Sequence, residues 1–334
     1  MMAKHIIPGV DDPTCGIAVA AKQLIARGVG EDGEVWVHSM WTPMVVKASI
    51  KALLAGKRLV RMPHGCTDPE KLKYHWHKKR WVAPIERWLF RRADHLVATC
   101  DEEVAWIRAF EPSVRRIDVV PLSPATSDRA QCPTSQAPSE PEQADIIKLL
   151  YVGRLHPLKG IEYLLGALRE IKIALNPLRH LRLKIIGKDE GEERKLRRMA
   201  ADRDLDVEFC GIVSEEEKEA AYRWCDALVL PTLSENFGLV IAEALERGKR
   251  VITTDGAPAW GDGNDHGGRL VYLKGFRDGT RESRVELLKD AIVHLSDTVS
   301  DGKRSGVADA ASALANLIDG DLDAMQNSKQ GESK

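Results

Sequence analysis

At 334 residues the chain can hold two cores of about 100 to 150 residues each. Its 49 Lys and Arg nearly cancel 50 Asp and Glu, and a formal charge of -1 argues against a general nucleic-acid binder, which needs an overall basic domain. The six cysteines, Cys15, Cys66, Cys100, Cys132, Cys210 and Cys225, include no Cys-x-x-Cys pair and no histidine partners at zinc spacing, so neither a disulfide framework nor a structural metal is expected, and a cytoplasmic location fits.

Over residues 1–121, short apolar runs alternate with helical patterns. Strands are expected at Ile6-Ile7, Val35 to His38, Arg58 to Met62, His95 to Ala98 and Ile117 to Val120, with helices over Ile17 to Ala26, Val45 to Leu54, Lys71 to Arg92 and Glu102 to Phe110. Such alternation predicts a doubly wound parallel sheet. At one strand end, Met62-Pro63-His64-Gly65, the imidazole of His64 suits either hydroxyl binding or a structural cap.

The segment from Lys71 to Arg92 concentrates Lys, Arg, Trp and Tyr around a single acid. Two readings stay open. It can lie on an anionic membrane surface, with aromatic rings at the headgroups. Equally, Trp81, Ile85, Trp88 and Leu89 can form an inward stripe opposite solvated charges. No apolar run approaches the roughly 20 residues that span a bilayer, so a soluble protein, or one peripheral on the inner face of the cytoplasmic membrane, is expected.

Residues 122–146, rich in Pro, Ser, Gln and Thr, read as a linker. A second alternating set fills 147–300, with strands at 149–152, 181–186, 207–209, 227–230 and 250–253 and helices at 161–172, 192–203, 215–224, 238–247 and 284–296. Residues 301–334 read as a helix and a polar tail, in which Asp319, Asp321 and Asp323 lack the glycine and terminal glutamate of a calcium loop. Two such sheets leave a cleft at the carboxyl ends of their strands.

The second set holds two notable blocks. In the first, Leu149-Leu150-Tyr151-Val152 runs into Gly153-Arg154-Leu155-His156-Pro157-Leu158-Lys159-Gly160. The second starts at Leu230-Pro231-Thr232-Leu233-Ser234-Glu235-Asn236-Phe237-Gly238-Leu239 and reaches Glu243, eight positions beyond Glu235. Ser234 or Asn236 can cap the helix that follows, and the N–H groups of Phe237, Gly238 and Leu239 would offer an anion site. A lone pair of glutamates would mean no more than a dipole partner and a solvated side chain.

Together the blocks resemble the Gly-Arg-Leu-x-Pro-x-Lys-Gly and Glu-x7-Glu signatures of glycosyltransferase family 4, the retaining group 1 transferases. The resemblance implies an α/β fold of the GT-B type, two Rossmann-like doubly wound domains facing across a cleft. It implies that Arg154 and Lys159 stabilise the departing diphosphate, Glu235 holds sugar hydroxyls, Glu243 the ribose, and amides around Asn236, Phe237, Gly238 and Leu239 a phosphate. It puts Gly153 and Gly187 at the donor cleft, the backbone of Ile212 and Val213 at the nucleobase, Gly16 near the pyrophosphate and His64 near the anomeric carbon.

The expected activity is hexosyl transfer from a UDP-, GDP- or ADP-sugar to a glycan or lipid-linked acceptor, with no cofactor or metal ion and no nucleic acid. Thr253 to Trp260 resembles a loop of members that build lipopolysaccharide and surface polysaccharide. A GT-B sugar-nucleotide epimerase, or a non-catalytic partner in a glycan assembly complex, is the alternative. Where the family has Gly-Gly after its first strand this chain keeps Gly16 alone, and Pro121-Leu122-Ser123-Pro124 replaces its usual pre-linker motif.

Overall fold

Residues 3–10, 15–122, 146–174 and 180–296 are described by a computed structural model. The first sheet and its helices comprise β1 (Lys4–Ile6), α1 (Gly16–Ala26), β2 (Glu34–His38), α2 (Pro43–Leu54), β3 (Arg58–Met62), α3 (Pro69–Lys73), α4 (Trp76–Arg92), β4 (His95–Ala98), α5 (Asp101–Phe110) and β5 (Ile117–Val119). The second set comprises β6 (Ile146–Val152), α6 (Ile161–Ala174), β7 (His180–Ile186), α7 (Glu193–Ala201), β8 (Asp206–Gly211), α8 (Glu215–Trp224), β9 (Ala227–Leu230), α9 (Leu239–Glu246), β10 (Arg250–Thr254) and β11 (Leu270–Leu273), followed by a helix over 281–296. Most of the expected linker, 123–145, and the expected tail, 301–334, lie outside the described residues.

The first sheet is parallel in the order β1-β2-β3-β4-β5. Alternate side chains divide between its faces, as the two-residue period of a strand requires. Val37, Leu59 and Leu96 pack against α2, α4 and α5 through Val45, Phe90 and Ile107. Trp36, Val60, Met62 and Val97 meet Ala20 and Leu24 of α1, together with Leu122, on the other face. Leu122 is therefore core rather than the start of a linker.

The second sheet is also parallel, in the order β11-β10-β9-β6-β7-β8. It winds outward from β6 to β8 and then in the other direction from β9 to β11. Strands β6 and β9 thus flank the point where strand order reverses, the place where open α/β sheets bind ligands. Strand β11 has no counterpart among the sequence expectations. Its four residues follow a Gly- and Asp-rich stretch, and pairing with β10 makes them a strand.

Two helices, α3 and α4, replace the single helix expected over 71–92. Tyr74 is extended and His75 left-handed, φ 55°, so the chain turns between them. The inward face of α4 is Ala83, Glu86, Leu89 and Phe90. Trp81 (72% exposed), Ile85 and Trp88 point outward, which overturns the inward stripe drawn through them.

Glu86 is fully buried and pairs with the equally buried Arg61 at 2.9 Å. Arg61 also donates to the Ser39 carbonyl, and Glu86 accepts from the Trp41 N–H at 2.8 Å, so the pair fixes the left-handed residues Ser39 and Trp41 after β2. Removing one partner strands a buried charge. Glu86→Ala is expected to cost about 3 to 5 kcal/mol in chemical denaturation. A double substitution of Arg61 and Glu86 to apolar residues should cost much less.

Candidate active site

The loops after β6 and β9 carry the two signature blocks and meet beside the reversal point. After β6 the chain passes Gly153 and Arg154 into a 3-10 turn, Pro157–Lys159. The His156 ring accepts from the Leu158 N–H, the Leu158 carbonyl accepts from Leu233 N–H and Thr232 Oγ1, and Gly160 (φ 66°) ends the turn. A Cβ at Gly160 would lie 2.0 Å from the Pro231 carbonyl oxygen, so glycine is what lets the loops touch.

Contact between the loops joins Lys159 Nζ to Glu235 Oε2 at 2.5 Å. Burial would raise the Glu235 pKa, but Lys159 and Lys71 more than offset it and hold the carboxyl down at about 2. Burial also lowers the Lys159 pKa, against the pull of Glu235. With the charges in direct contact, the ionised pair is the dominant form.

Helix α9 starts at Leu239 with Gly238 (φ 73°) as its N-cap, and neither Ser234 nor Asn236 caps it as expected. Both reach across the cleft instead. Ser234 Oγ donates to Asp68, and Asn236 Oδ1 accepts from Thr99 Oγ1 at 3.0 Å. Trp260 donates through Nε1 to the Phe237 carbonyl at 2.5 Å and packs on the Phe237 ring, so the 253–260 loop braces the second block from behind.

A cavity of about 480 Å³ opens between the two sheets. It is lined by Gly16, His64 and Lys71 from one side, and by Gly153, Arg154, Lys159, Glu190 and residues 235–240 from the other. A Cβ at Gly16 would meet nothing within 4 Å, so the backbone there borders open space. Arg154 is held by Glu190 in a bidentate pair at 2.8 and 2.9 Å, which keeps its pKa above the ordinary value despite burial. His64 is buried and left-handed, φ 54°. Its loop is pinned by fully buried Glu103, which accepts from Gly65 N–H, Thr99 N–H and Thr99 Oγ1. A smaller cavity of about 180 Å³ adjoins, shares Lys71, Arg154 and Lys159, and adds Trp41, Tyr74, Lys79 and His156.

The family model of the group 1 glycosyl transferases matches residues 134–272, and that of the glycosyl transferase 4-like domain matches residues 34–123. The chain belongs to the group 1 glycosyltransferase family. It is 30% identical over 232 residues to a D-inositol 3-phosphate glycosyltransferase of Corynebacterium efficiens, covering 63% of this chain and 54% of that protein. The chain thus spans about half the length of that relative. Its fold matches WaaG, a glycosyltransferase involved in lipopolysaccharide biosynthesis, with TM-score 0.64 and 18% identity over 91% of this chain and 94% of that one. It also matches Anabaena HepE in complex with UDP and glucose, with TM-score 0.52 and 18% identity over 90% and 84%. The fold is GT-B, as the alternation and motifs led one to expect.

Of the family-matched residues, Gly16, His64, Gly153, Arg154, Lys159, Glu235, Asn236, Phe237, Gly238 and Leu239 line the larger cavity. Four do not. Glu243 accepts from Tyr222 Oη at 2.9 Å and lies 3.4 Å from Lys218. Gly187 packs so tightly at the end of β7 that a Cβ would lie 1.9 Å from the Gly153 carbonyl oxygen. Ile212 and Val213 follow β8, Ile212 being exposed.

Sequence reasoning missed Lys71, Glu190, Asp68, Thr99 and Glu103. By sequence Lys71 falls among the surface charges of 71–92, yet from the middle of α3 it turns into the cleft. Nothing in its local pattern separates it from Lys73 or Lys78.

The Lys159–Glu235 pair gives stability a defined pH dependence. A carboxyl held at about 2 against an ordinary 4.5 stabilises the fold above about pH 4.5, and that contribution is lost as pH falls toward 2. Urea denaturation across this window should show wild type losing stability more steeply than Glu235→Gln. Parallel pH profiles would refute the ionised pair.

Proposed function

We propose that the chain is a retaining glycosyltransferase that moves a hexose-type sugar from a nucleotide donor to a glycan or lipid-linked acceptor, in lipopolysaccharide or surface-polysaccharide assembly. The carrying observation is the convergence of Arg154, Lys159, Glu235 and the amino end of α9 on one cavity at the strand-order reversal. The diphosphate oxygens of a UDP-, GDP- or ADP-sugar would meet the two cations and the first N–H groups of α9. These strengthen as charge builds on the leaving group, so the chain's own groups serve without a metal ion. Glu235 would then offer its oxygens to sugar hydroxyls.

Retention is supported by the carboxylates at hand. Among the described residues lining the larger cavity, the acids are Glu190, engaged with Arg154, and Glu235, engaged with Lys159. On this reading each keeps a cation or a hydroxyl as its partner, and neither serves as a nucleophile. The reading is therefore same-face attack by the acceptor hydroxyl, with the departing phosphate taking its proton. An anionic acceptor is favoured by Lys71 and Lys79 in the adjoining cavity, and by relatives named for an inositol phosphate.

A peripheral position on the cytoplasmic face of the membrane is supported by α4. Trp76, Trp81, Ile85 and Trp88 are exposed beside Arg80, Arg87, Arg91 and Arg92. No helix among the described residues is long and apolar enough to cross a membrane. Exposed indoles among cations suit the headgroup layer.

Lys159→Ala and Glu235→Ala should each lower transfer from a nucleotide sugar by about 10² to 10³-fold, the usual loss for one group stabilising developing charge. Retention of wild-type rates by both variants would sink the assignment, and an epimer formed from donor alone would replace it with an epimerase. In sedimentation with vesicles containing anionic lipid, wild type should bind at low salt, and Trp81→Ser with Trp88→Ser should reduce binding several-fold. Absence of wild-type binding at low salt would remove the membrane reading.

A further inference from the structure

Four cations, Lys71, Lys79, Arg154 and Lys159, line the smaller cavity, and no acid among the described residues does. Two of the four are already matched: Arg154 holds Glu190 and Lys159 holds Glu235. The other two hold no carboxylate. Lys71 Nζ has no hydrogen bond or ion pair among the described residues. Lys79 Nζ donates to the Lys71 carbonyl and lies 5.7 Å from the centre of the Trp41 ring. Across the cavity from them, the Tyr74 ring meets the His156 ring at 4.9 Å between centroids, joining the α3–α4 turn to the loop after β6.

The backbone brings the two unmatched lysines to one place. The left-handed turn at His75 joins α4 to α3, and the bond from Lys79 to the Lys71 carbonyl closes it. Lys71 Nζ ends beside the His64 loop, 3.2 Å from where a Cβ on Gly65 would stand, and its side chain lines both cavities. Like charges that face one small space repel, and an anion between them removes the repulsion. Size and charge then select the anion. Pockets for drug-sized ligands start at about 300 Å³, so a cavity of about 180 Å³ suits a headgroup rather than a nucleotide sugar. A phosphomonoester carries about -1.5 to -2 charges at pH 7 on three acceptor oxygens, which is enough for both ammonium groups. A carboxylate or a phosphodiester, with a single charge, would leave one lysine unmatched.

We propose that Lys71 and Lys79 form a seat for a terminal phosphate carried by the acceptor, apart from the diphosphate seat at Arg154, Lys159 and the amino end of α9. That the acceptor carries this phosphate rests on the proposed transferase reading; the phosphate seat does not. With its phosphate held there, the rest of the acceptor would pass Lys71 into the larger cavity and bring a hydroxyl toward Glu235, where the sugar would lie.

Calorimetric titration of the full chain with inorganic phosphate tests the seat without any activity. Lys79→Gln, a change in the smaller cavity alone, should weaken phosphate about tenfold, the scale of one charge-assisted hydrogen bond, and Lys79→Arg should restore most of it. Its affinity for UDP and GDP should stay at the wild-type value. Should Lys79→Gln fail to fold, Lys71→Gln should show the same loss of phosphate. Glucose 6-phosphate should displace inorganic phosphate, and glucuronate, with a carboxylate in place of the phosphate, should not at equal concentration. Vesicles with phosphatidic acid, set against vesicles of matched charge with phosphatidylglycerol, separate the sources. Lys79-dependent preference for phosphatidic acid would mean a phosphate borne on lipid, and competition by glucose 6-phosphate alone a free ester. Competition by neither, equal displacement by glucuronate, or phosphate binding that ignores both lysine variants and falls with Arg154→Gln would overturn the seat. A Lys79-dependent phosphate seat in a chain without transfer would refute the proposed function alone.

Discussion

A buried ammonium in contact with a half-buried carboxylate, Lys159 with Glu235, is the constraint around which the cleft is arranged. The Lys159 ammonium is costly alone in that place, so the loops that carry the pair are held together. Gly160 allows the approach against Pro231, and the bonds from Thr232 and Leu233 to the Leu158 carbonyl hold it. The strand order makes it possible in the first place. Because β6 and β9 are neighbours where the winding reverses, blocks more than seventy residues apart emerge side by side.

The pair also defines what a ligand must do. On the proposed reading, an incoming diphosphate would compete with Glu235 for Lys159 and with Glu190 for Arg154, and an incoming hydroxyl would compete with Lys159 for Glu235. A nucleotide sugar would bring both kinds of group, so each charge would exchange one partner for another and none would be left bare. A bare phosphate would free Glu235 without replacing its partner.

The alternation of runs in the sequence was enough for two parallel sheets, because buried parallel strands are short, apolar and bounded by turns. The donor blocks were legible for the same reason: their spacing is local and their residue types are demanding. What escaped was set by partners distant in sequence. Ser234 and Asn236 have the chemistry of helix caps, but Asp68 and Thr99 on the other sheet claim them. Trp81 and Trp88 sit at helical spacing with Leu89, yet the buried demand of Glu86 for Arg61 turns α4 so that both indoles face outward. Strand β11 is a strand only because β10 lies beside it.

Asp68 has a role that its fully buried position makes unusual. Its carboxylate caps α3 through the Glu70 N–H and also accepts from Ser234 and Arg277 of the other half. The cap that seats α3, and with it Lys71, is thus built from the same atoms that tie the halves together. Separating the sheets would release both ties at once and leave the carboxylate to the helix end and to water. The placement of Lys71 is therefore tied to the opposite wall: its helix is seated by the same carboxylate whose far partners are Ser234 and Arg277.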